Sequence, residues 1–319
     1  MNTFYRHNVR TLVVFAPNWL GDILFITPAL AALKSHFPKA HLACIVPQRF
    51  QELLQGQSYL DEIIALDDRS LFEKIKLLFH LRQKNWDLGI LFHRSKTRAR
   101  LFQWANIRER WGYATNHRTC LLTRAISEPI SSHHKMDHWL YLLHELGILT
   151  PHATYVYQSP ASKFTPMDSV KKPYIVFHPG SNWKPKRWPT TYFAKLGTRL
   201  QKLHPYEIVI SGSHHEKYLA REIQKYLKGA VVDLTGRTSL SQLAAIFLNA
   251  HYIIAGDTGP MHLASALGAR VIALYGPTSP TLNGPRHPHS KVIYETSGDL
   301  LRLTPEIVFE EISNLEKIT

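Results

Sequence analysis

Residues 252–263 read Tyr-Ile-Ile-Ala-Gly-Asp-Thr-Gly-Pro-Met-His-Leu, and this stretch decides the fold. A short apolar run is followed by a turn with two glycines and then by a segment with helical periodicity. Asp257 or Thr258 can cap the helix, and Pro260 suits its first turn. The stretch therefore predicts a buried strand, a tight loop and a helix, which together form the repeating unit of an α/β protein.

The same alternation continues along the chain in both directions. Four short apolar runs in the first half predict strands at Leu12–Ala16, Leu42–Val46, Ile63–Leu66 and Leu88–Phe92. Four further runs in the second half predict strands at Tyr174–Phe177, Glu207–Ser211, Val231–Leu234 and Val271–Tyr275. Helical patterns lie between these runs, so we expect parallel sheets joined by helical crossovers.

The length of the chain favours more than one domain. The sequence has 319 residues, and a segment rich in Pro, Ser and Lys interrupts the pattern at 161–172. We predict an α/β fold with two doubly wound parallel-sheet domains, residues 1–160 and 173–303, joined by this linker. A cleft between two such domains is a usual place for a ligand.

The composition restricts the class of protein and of partner. Hydrophobic residues make up 45% of the chain, which is typical of a globular protein. Lys and Arg number 38 against 24 Asp and Glu, so the net charge of +14 favours an anionic partner. Two cysteines argue against a disulfide framework. No apolar run approaches the roughly 20 residues of a membrane helix, so we expect a soluble protein with at most peripheral membrane contact.

Loops that follow predicted strands carry the candidate functional residues, because ligands of parallel sheets bind beyond the carboxyl ends of the strands. Asp22 follows the first strand, and it is either a helix N-cap or a general base. Residues 178–189 combine small polar side chains with three cations and two tryptophans, which favours phosphate binding over an idle surface turn. Glu216 opens a helix after Gly212, and either a cap or a ribose contact explains it.

The fourth such loop comprises residues 255–262. The two glycines around Asp257 and Thr258 allow a ligand to approach the backbone, and free amides at a helix start bind anions. Neither a dinucleotide-binding glycine motif nor a P-loop is present, so a dinucleotide oxidoreductase or a P-loop ATPase is poorly supported.

A basic stretch extends from Arg94 to Arg124. Eight cations and two tryptophans lie in it against the single acid Glu109. Phosphate contacts and stacking on RNA, contact with a phosphorylated lipid, and an ordinary solvated helix face all fit this pattern. No recognisable RNA-binding module accompanies it.

Two motifs carry a resemblance to a known family. Residues 256–268 and 273–280 resemble the signature of glycosyltransferase family 9, the ADP-heptose:lipopolysaccharide heptosyltransferases. Residues 17–22 and 185–189 look most like those of its heptosyltransferase II members. The resemblance extends from about residue 11 to 285.

The resemblance implies a GT-B architecture and a defined reaction. Two Rossmann-like domains would face each other across the cleft, and the last helix, 304–319, would return to the N-terminal domain. The implied reaction is an inverting, metal-independent transfer of heptose from ADP-heptose to the first heptose of the inner core on Kdo–lipid A. No cofactor and no nucleic acid is expected, and the basic surplus suits work at the anionic cytoplasmic leaflet.

The resemblance also implies roles for individual residues. Asp22 is the expected base. The expected donor contacts are Ser181, Asn182 and Lys186 on the diphosphate, Glu216 on the ribose, Thr238 near adenine, and Asp257, Thr258, Gly259 and His262 on the phosphates or heptose. The resemblance assigns the acceptor to the N-terminal domain, and the local basic excess there makes Lys96, Arg98 and Arg100 the expected acceptor contacts. Heptosyltransferase I or another family 9 sugar transferase is the alternative within the class, and an RNA-binding protein using residues 94–124 is the alternative outside it.

Overall fold

A computed structural model describes residues 9–130, 133–159 and 173–318 of the protein. The chain divides into two compact units, Met1–Gln158 and Ser159–Thr319. The predicted linker 161–172 lies outside the described residues. Each unit contains one six-stranded parallel sheet with helices, which confirms the predicted α/β class.

The first unit is built on a sheet with the strand order β3-β2-β1-β4-β5-β6. Its strands are β1 (Thr11–Phe15), β2 (His41–Pro47), β3 (Glu62–Leu66), β4 (Leu88–Leu91), β5 (Glu109–Tyr113) and β6 (Arg124–Ile126). Its helices are α1 (Leu20–Phe25), α2 (Thr27–His36), α3 (Leu71–Arg82), α4 (Lys96–Trp104) and α5 (Lys135–Glu145). The winding direction reverses between β1 and β4, so the loops after these two strands flank the expected ligand crevice.

Two local features of the first unit differ from the sequence pattern. The helical pattern after the first strand forms two helices that meet at Ile26. Pro28 has no amide hydrogen to donate to the preceding turn, as a helix continuing through Ile26 would require. The basic stretch contains β5 and β6, which the sequence pattern does not predict because their cations interrupt the apolar alternation of a strand. Arg110 can lie in a strand of the sheet because its guanidinium donates to the carbonyls of Leu121 and Ile107 at 2.7 Å.

The second unit repeats the same winding. Its sheet has the order β12-β11-β10-β7-β8-β9, with all neighbouring strands parallel. Its strands are β7 (Tyr174–His178), β8 (Glu207–Ile210), β9 (Val231–Asp233), β10 (Tyr252–Gly256), β11 (Val271–Tyr275) and β12 (Ser290–Tyr294). Its helices are α6 (Thr190–Leu203), α7 (Lys217–Tyr226), α8 (Leu240–Leu248), α9 (Gly259–Ala266), α10 (Pro280–Asn283) and α11 (Pro305–Ile318). The reversal falls between β7 and β10, so their loops flank the crevice of this unit.

The last helix packs within the second unit. Val308, Phe309 and Ile312 on α11 are buried in the apolar core of this unit, and α11 lies against α6. The guanidinium of Arg199 on α6 lies 4.0 Å from the centre of the Phe309 ring. The apolar face of α11 that the structure describes is covered by α6, and the expected return of residues 304–319 to the N-terminal domain stays a prediction.

Helix length and polarity bear on membrane insertion. Within the described ranges, no helix combines the length and the apolar character that crossing a bilayer requires.

Candidate active site

Asp257 is the centre of a polar cluster beyond the carboxyl end of β10. Its Oδ2 accepts hydrogen bonds from Lys186 Nζ at 2.6 Å, Asn283 Nδ2 at 2.8 Å and Thr278 Oγ1 at 2.9 Å. His262 Nε2 lies 3.6 Å from Oδ1. The Asp257 side chain is only 6% exposed, so these groups rather than water solvate the carboxylate.

The surroundings of Asp257 hold it as an anion. Burial raises the pKa of this carboxyl, but the hydrogen bonds and charges of His262 and Lys186 outweigh burial and hold the pKa well below its usual range. A fixed anion repels a diphosphate. Asp257 therefore suits orienting Lys186 and accepting hydrogen bonds from sugar hydroxyls, while the ammonium of Lys186 is the group that attracts phosphate.

A glycine lets the Lys186 loop approach β10. Lys186 ends a short 3₁₀ turn, Lys184–Lys186, in the loop after β7. A Cβ at Gly256 would lie 2.6 Å from the Lys186 carbonyl oxygen, so only glycine allows this approach. The two loops that flank the crevice of the second sheet are thus in direct contact.

The start of α9 offers fewer amides than the sequence predicts. Thr258 is the N-cap, and its hydroxyl accepts a hydrogen bond from the Met261 amide at 3.2 Å. Pro260 has no amide hydrogen. The Gly259 amide is therefore the first-turn donor that best fits an anion at this helix.

The loop of Ser181 and Asn182 is fixed by an arginine. Ser181 is buried, and its carbonyl accepts hydrogen bonds from Arg187 Nε at 2.8 Å and Nη2 at 2.5 Å. Asn182 is exposed. Trp188, which sequence analysis counted toward function, is a core residue whose Nε1 donates to the Leu303 carbonyl at 2.7 Å.

Glu216 caps the helix that it opens, which is one of the two roles expected for it. Its Oε2 accepts hydrogen bonds from the amide and hydroxyl of Ser213, both at 2.7 Å, in a capping box. Its Oε1 lies over Gly180, where a Cβ would be only 2.1 Å away. The cap uses Oε2, so it does not exclude a ribose contact through Oε1, and that contact stays a prediction.

Thr238 lies in the turn between β9 and α8. Gly236 in this turn has a φ of +69°, and a Cβ there would lie 2.7 Å from the His214 Cα. This packing brings the turn against the loop after β8, which carries Glu216. Thr238 is half-buried, and its contact with adenine stays a prediction.

Asp22 lies inside the first turn of α1 and not at the N-cap. The N-cap of α1 is Trp19, which leaves Asp22 as the third residue of the helix without a capping role. The capping interpretation is therefore wrong. Its Oδ1 accepts a hydrogen bond from Lys135 Nζ at 3.0 Å, and its side chain is 19% exposed. Asp22 lies beyond the carboxyl end of β1, where the doubly wound order predicts a ligand.

Arg98 is buried, which corrects its expected place on an acceptor-binding surface. Its Nη2 donates to Asn18 Oδ1 at 2.6 Å and also to Asp68 Oδ2, and its guanidinium lies 4.4 Å from the centre of the Phe15 ring. Burial lowers its pKa to about 10, although Asp68 opposes this shift. Arg98 holds the loop after β1 in place, and this loop leads into Asp22.

Lys96 and Arg100 remain on the surface. They are four residues apart on α4 and share an exposed face, whereas Arg98 points to the opposite face. Arg118 is also buried, and its guanidinium donates to the carbonyls of Tyr113 and His93. The basic stretch of 94–124 is therefore not one continuous charged surface, which removes the main support for RNA binding.

Sequence reasoning missed several residues that the fold places at these crevices. His93 lies two residues after the end of β4, and burial together with the charges of Arg98 and Arg118 lowers its pKa to about 3. Its place after a predicted strand could have identified it. Thr278 and Asn283 follow β11, and only their contacts with Asp257 identify them.

Metal binding by the protein has no obvious site in the described parts of the chain. No group of three or more His, Cys, Asp or Glu side chains there could hold a metal ion.

Comparisons with known proteins identify the family of the chain. The family model described as glycosyltransferase family 9 (heptosyltransferase) matches residues 75–304. Lipopolysaccharide heptosyltransferase 2 of Salmonella typhimurium is 26% identical over 345 residues, covering 95% of this chain and 98% of that protein.

Solved structures show a similar fold. A glycosyltransferase of family 9 from Veillonella parvula is 21% identical with a TM-score of 0.86, covering 98% of this chain and 99% of that one. ADP-heptose LPS heptosyltransferase II of E. coli is 24% identical with a TM-score of 0.81, covering 97% of this chain and 100% of that one. These likenesses confirm the GT-B fold class.

Proposed function

This chain belongs to glycosyltransferase family 9, and we propose that it transfers heptose from ADP-heptose to the first heptose of the lipopolysaccharide inner core. The observation that carries this function is the cluster around Asp257 at the crevice of the second sheet. A buried anion that holds a lysine beside a helix start suits a donor that combines a diphosphate with a hydroxyl-rich sugar.

The donor is assigned to the second unit. Lys186 and the Gly259 amide bind the diphosphate. Asp257 accepts hydrogen bonds from heptose hydroxyls, and His262 donates to them. Ser181 and Asn182 on the same loop as Lys186 complete the diphosphate contacts. Glu216 and Thr238, on adjacent loops, contact the ribose and the adenine.

The acceptor and the base are assigned to the first unit. Asp22 removes the proton from the acceptor hydroxyl while that oxygen forms a bond to the anomeric carbon of heptose. The bond between this carbon and the diphosphate breaks in the same step, and ADP leaves with the electron pair. Attack from the face opposite ADP inverts the anomeric configuration.

Charge on the departing ADP is neutralised by the protein. Lys186 and the start of α9 are fixed before the reaction, so they stabilise the growing negative charge without rearrangement. We therefore expect transfer to proceed in excess chelator.

The acceptor is attached to a lipid, which places the reaction at a membrane surface. We expect a peripheral association with the cytoplasmic leaflet, whose anionic lipids attract a protein with a net charge of +14.

Mass spectrometry of products tests the transfer. Purified protein is incubated with ADP-heptose and either Kdo–lipid A carrying one heptose or the same acceptor without heptose. The proposal predicts addition of one heptose to the first acceptor. Addition only to the heptose-free acceptor would assign the protein to heptosyltransferase I, and addition to neither would contradict heptose transfer to the inner core.

A further inference from the structure

The outward face of helix α3 carries four large apolar side chains in contact with solvent. Leu71 is 72% exposed, Phe72 63%, Phe79 59% and Ile75 44%. Their spacing along the helix places all four on one face. We call these four residues the α3 stripe.

The α3 stripe is separate from the face that anchors the helix. Leu77 and Leu81 bury the opposite face of α3 in the core of the first unit. A helix on the surface of a globular protein normally presents polar residues to solvent. A second apolar face that residues 9–130, 133–159 and 173–318 leave uncovered marks an interaction surface.

Cations border the α3 stripe. Lys74, Lys76 and Arg82 lie on the helix against one acid, Glu73, whose carboxylate is 2.8 Å from Lys76 Nζ. The Lys76 ammonium also lies 4.5 Å from the centre of the Phe72 ring. An apolar face flanked by lysine and arginine is the pattern of helices that lie in the interface of a bilayer with anionic lipids.

A tryptophan extends this surface beyond α3. Arg82 Nε donates to the Trp104 carbonyl at 2.8 Å, which places the end of α4 beside the end of α3. The Trp104 side chain is 53% exposed. Tryptophan is enriched where a protein meets the headgroup region of a membrane.

The start of α3 is connected to the loop that leads to Asp22. Asp68, which lies between β3 and α3, accepts a hydrogen bond from Arg98, and Arg98 also donates to Asn18. Both α3 and this loop begin at the carboxyl end of the sheet. The α3 stripe and the proposed acceptor residues therefore lie near each other in the first unit.

We propose that the α3 stripe docks the protein on a bilayer that contains anionic lipid. The apolar side chains enter the boundary of the acyl chains, and Lys74, Lys76 and Arg82 contact lipid phosphates. A second copy of the chain fits less well, because a symmetric pairing would bring the same cations together. The docking does not depend on the transfer reaction, but it would bring a lipid-linked acceptor to the first unit.

Vesicle cosedimentation of the full chain tests the docking. Wild type should bind vesicles that contain about 30% phosphatidylglycerol, bind phosphatidylcholine vesicles far more weakly, and lose affinity as salt rises. Phe72→Ser with Phe79→Ser should weaken binding about tenfold or more, because two apolar rings leave the membrane. Leu203→Ser with Tyr226→Ser is the matched control, since these exposed residues of the second unit should not affect binding.

Three outcomes would overturn the docking. The first is absence of wild-type binding to phosphatidylglycerol vesicles, and the second is an equal loss of vesicle affinity in the two double variants. The third is a dimer, seen by sedimentation velocity, that the Phe72 and Phe79 changes dissociate without any effect on vesicle binding. Transfer to a delipidated core oligosaccharide should be equal in wild type and in the Phe72 and Phe79 variant. Failure of docking is thus distinguished from failure of the proposed function.

Discussion

Asp22 and Asp257 are both aspartates in loops at the crevice of a doubly wound sheet, but their surroundings differ. Asp257 is 6% exposed and contacts Lys186, Thr278 and other donors that fix its negative charge. The Asp22 side chain is 19% exposed, and within the described residues its one ion-pair partner is Lys135, which is itself 51% exposed. Environment, and not residue type, separates a carboxylate that buried donors fix as an anion from one that has a single exposed cation beside it and is more open to solvent.

The largest expected effect is on catalysis and comes from Asp22→Asn. Because this change removes the base, we expect the rate to fall roughly 10²–10⁴-fold at saturating ADP-heptose. The melting temperature should barely change, since Asp22 is not a helix cap. Initial rates measure the effect, and Asp137→Asn, at the first-turn acid of α5, is the control. A near wild-type rate would mean that the base lies elsewhere.

The next effect is on stability and comes from Asp257→Asn. Loss of charged hydrogen bonds to a buried carboxylate should lower the free energy of unfolding at pH 7 by about 1.5–3 kcal/mol. The folded-state pKa of Asp257 is lowered, so its stabilisation is present above the unfolded pKa of about 3.9 and disappears as pH falls through the folded pKa.

Denaturant unfolding at several pH values tests this sign. The difference between wild type and Asp257→Asn should be constant near neutral pH and shrink below about pH 4. A difference that grows on acidification would contradict a carboxylate held as an anion.

A smaller effect is expected from Gly180→Ala. The new Cβ would lie 2.1 Å from Glu216 Oε1, so the carboxylate must move and weaken its capping box, at about 0.5–2 kcal/mol. Gly229→Ala is a close match, because its Cβ would lie 2.0 Å from Gln201 Oε1. Both variants should be less stable, but only Gly180→Ala should weaken ADP binding. Equal ADP affinities would argue against a ribose contact by Glu216.

The smallest effect is expected at the surface of α4. Lys96→Gln with Arg100→Gln should raise the acceptor Michaelis constant severalfold and reduce its dependence on salt, because exposed charges contribute about 1 kcal/mol or less each. Arg221→Gln with Lys225→Gln, at the same spacing on α7, is the control. An effect on the ADP-heptose constant alone would show that α4 does not contact the acceptor.

The strand-loop-helix repeat was predictable because it is local. Apolar runs and capping residues placed the loops of Asp22, Lys186 and Asp257 at strand ends. The same local pattern indicated that the glycines near Asp257 let another group approach the backbone closely. The structure shows that Gly256 allows the contact with the Lys186 loop.

Contacts between distant residues were not predictable. Lys135 meets Asp22 across 113 residues of sequence, and Asn283 meets Asp257 across 26. Charge counting also could not tell that Arg98 turns inward while Lys96 faces solvent, because both contribute equally to a basic stretch. The partners of a charge depend on packing, which a single sequence records only indirectly.

Calorimetric titration of ADP into wild type, Asp22→Asn and Lys186→Ala tests most directly whether the second unit holds the donor and Asp22 acts only as the base. We expect an unchanged dissociation constant, within about twofold, for Asp22→Asn, because the base does not hold the donor. We expect a rise of about 10–100-fold for Lys186→Ala, which loses a charged contact with the diphosphate. Equal weakening in both variants, or unchanged affinity in Lys186→Ala, would contradict this assignment of roles.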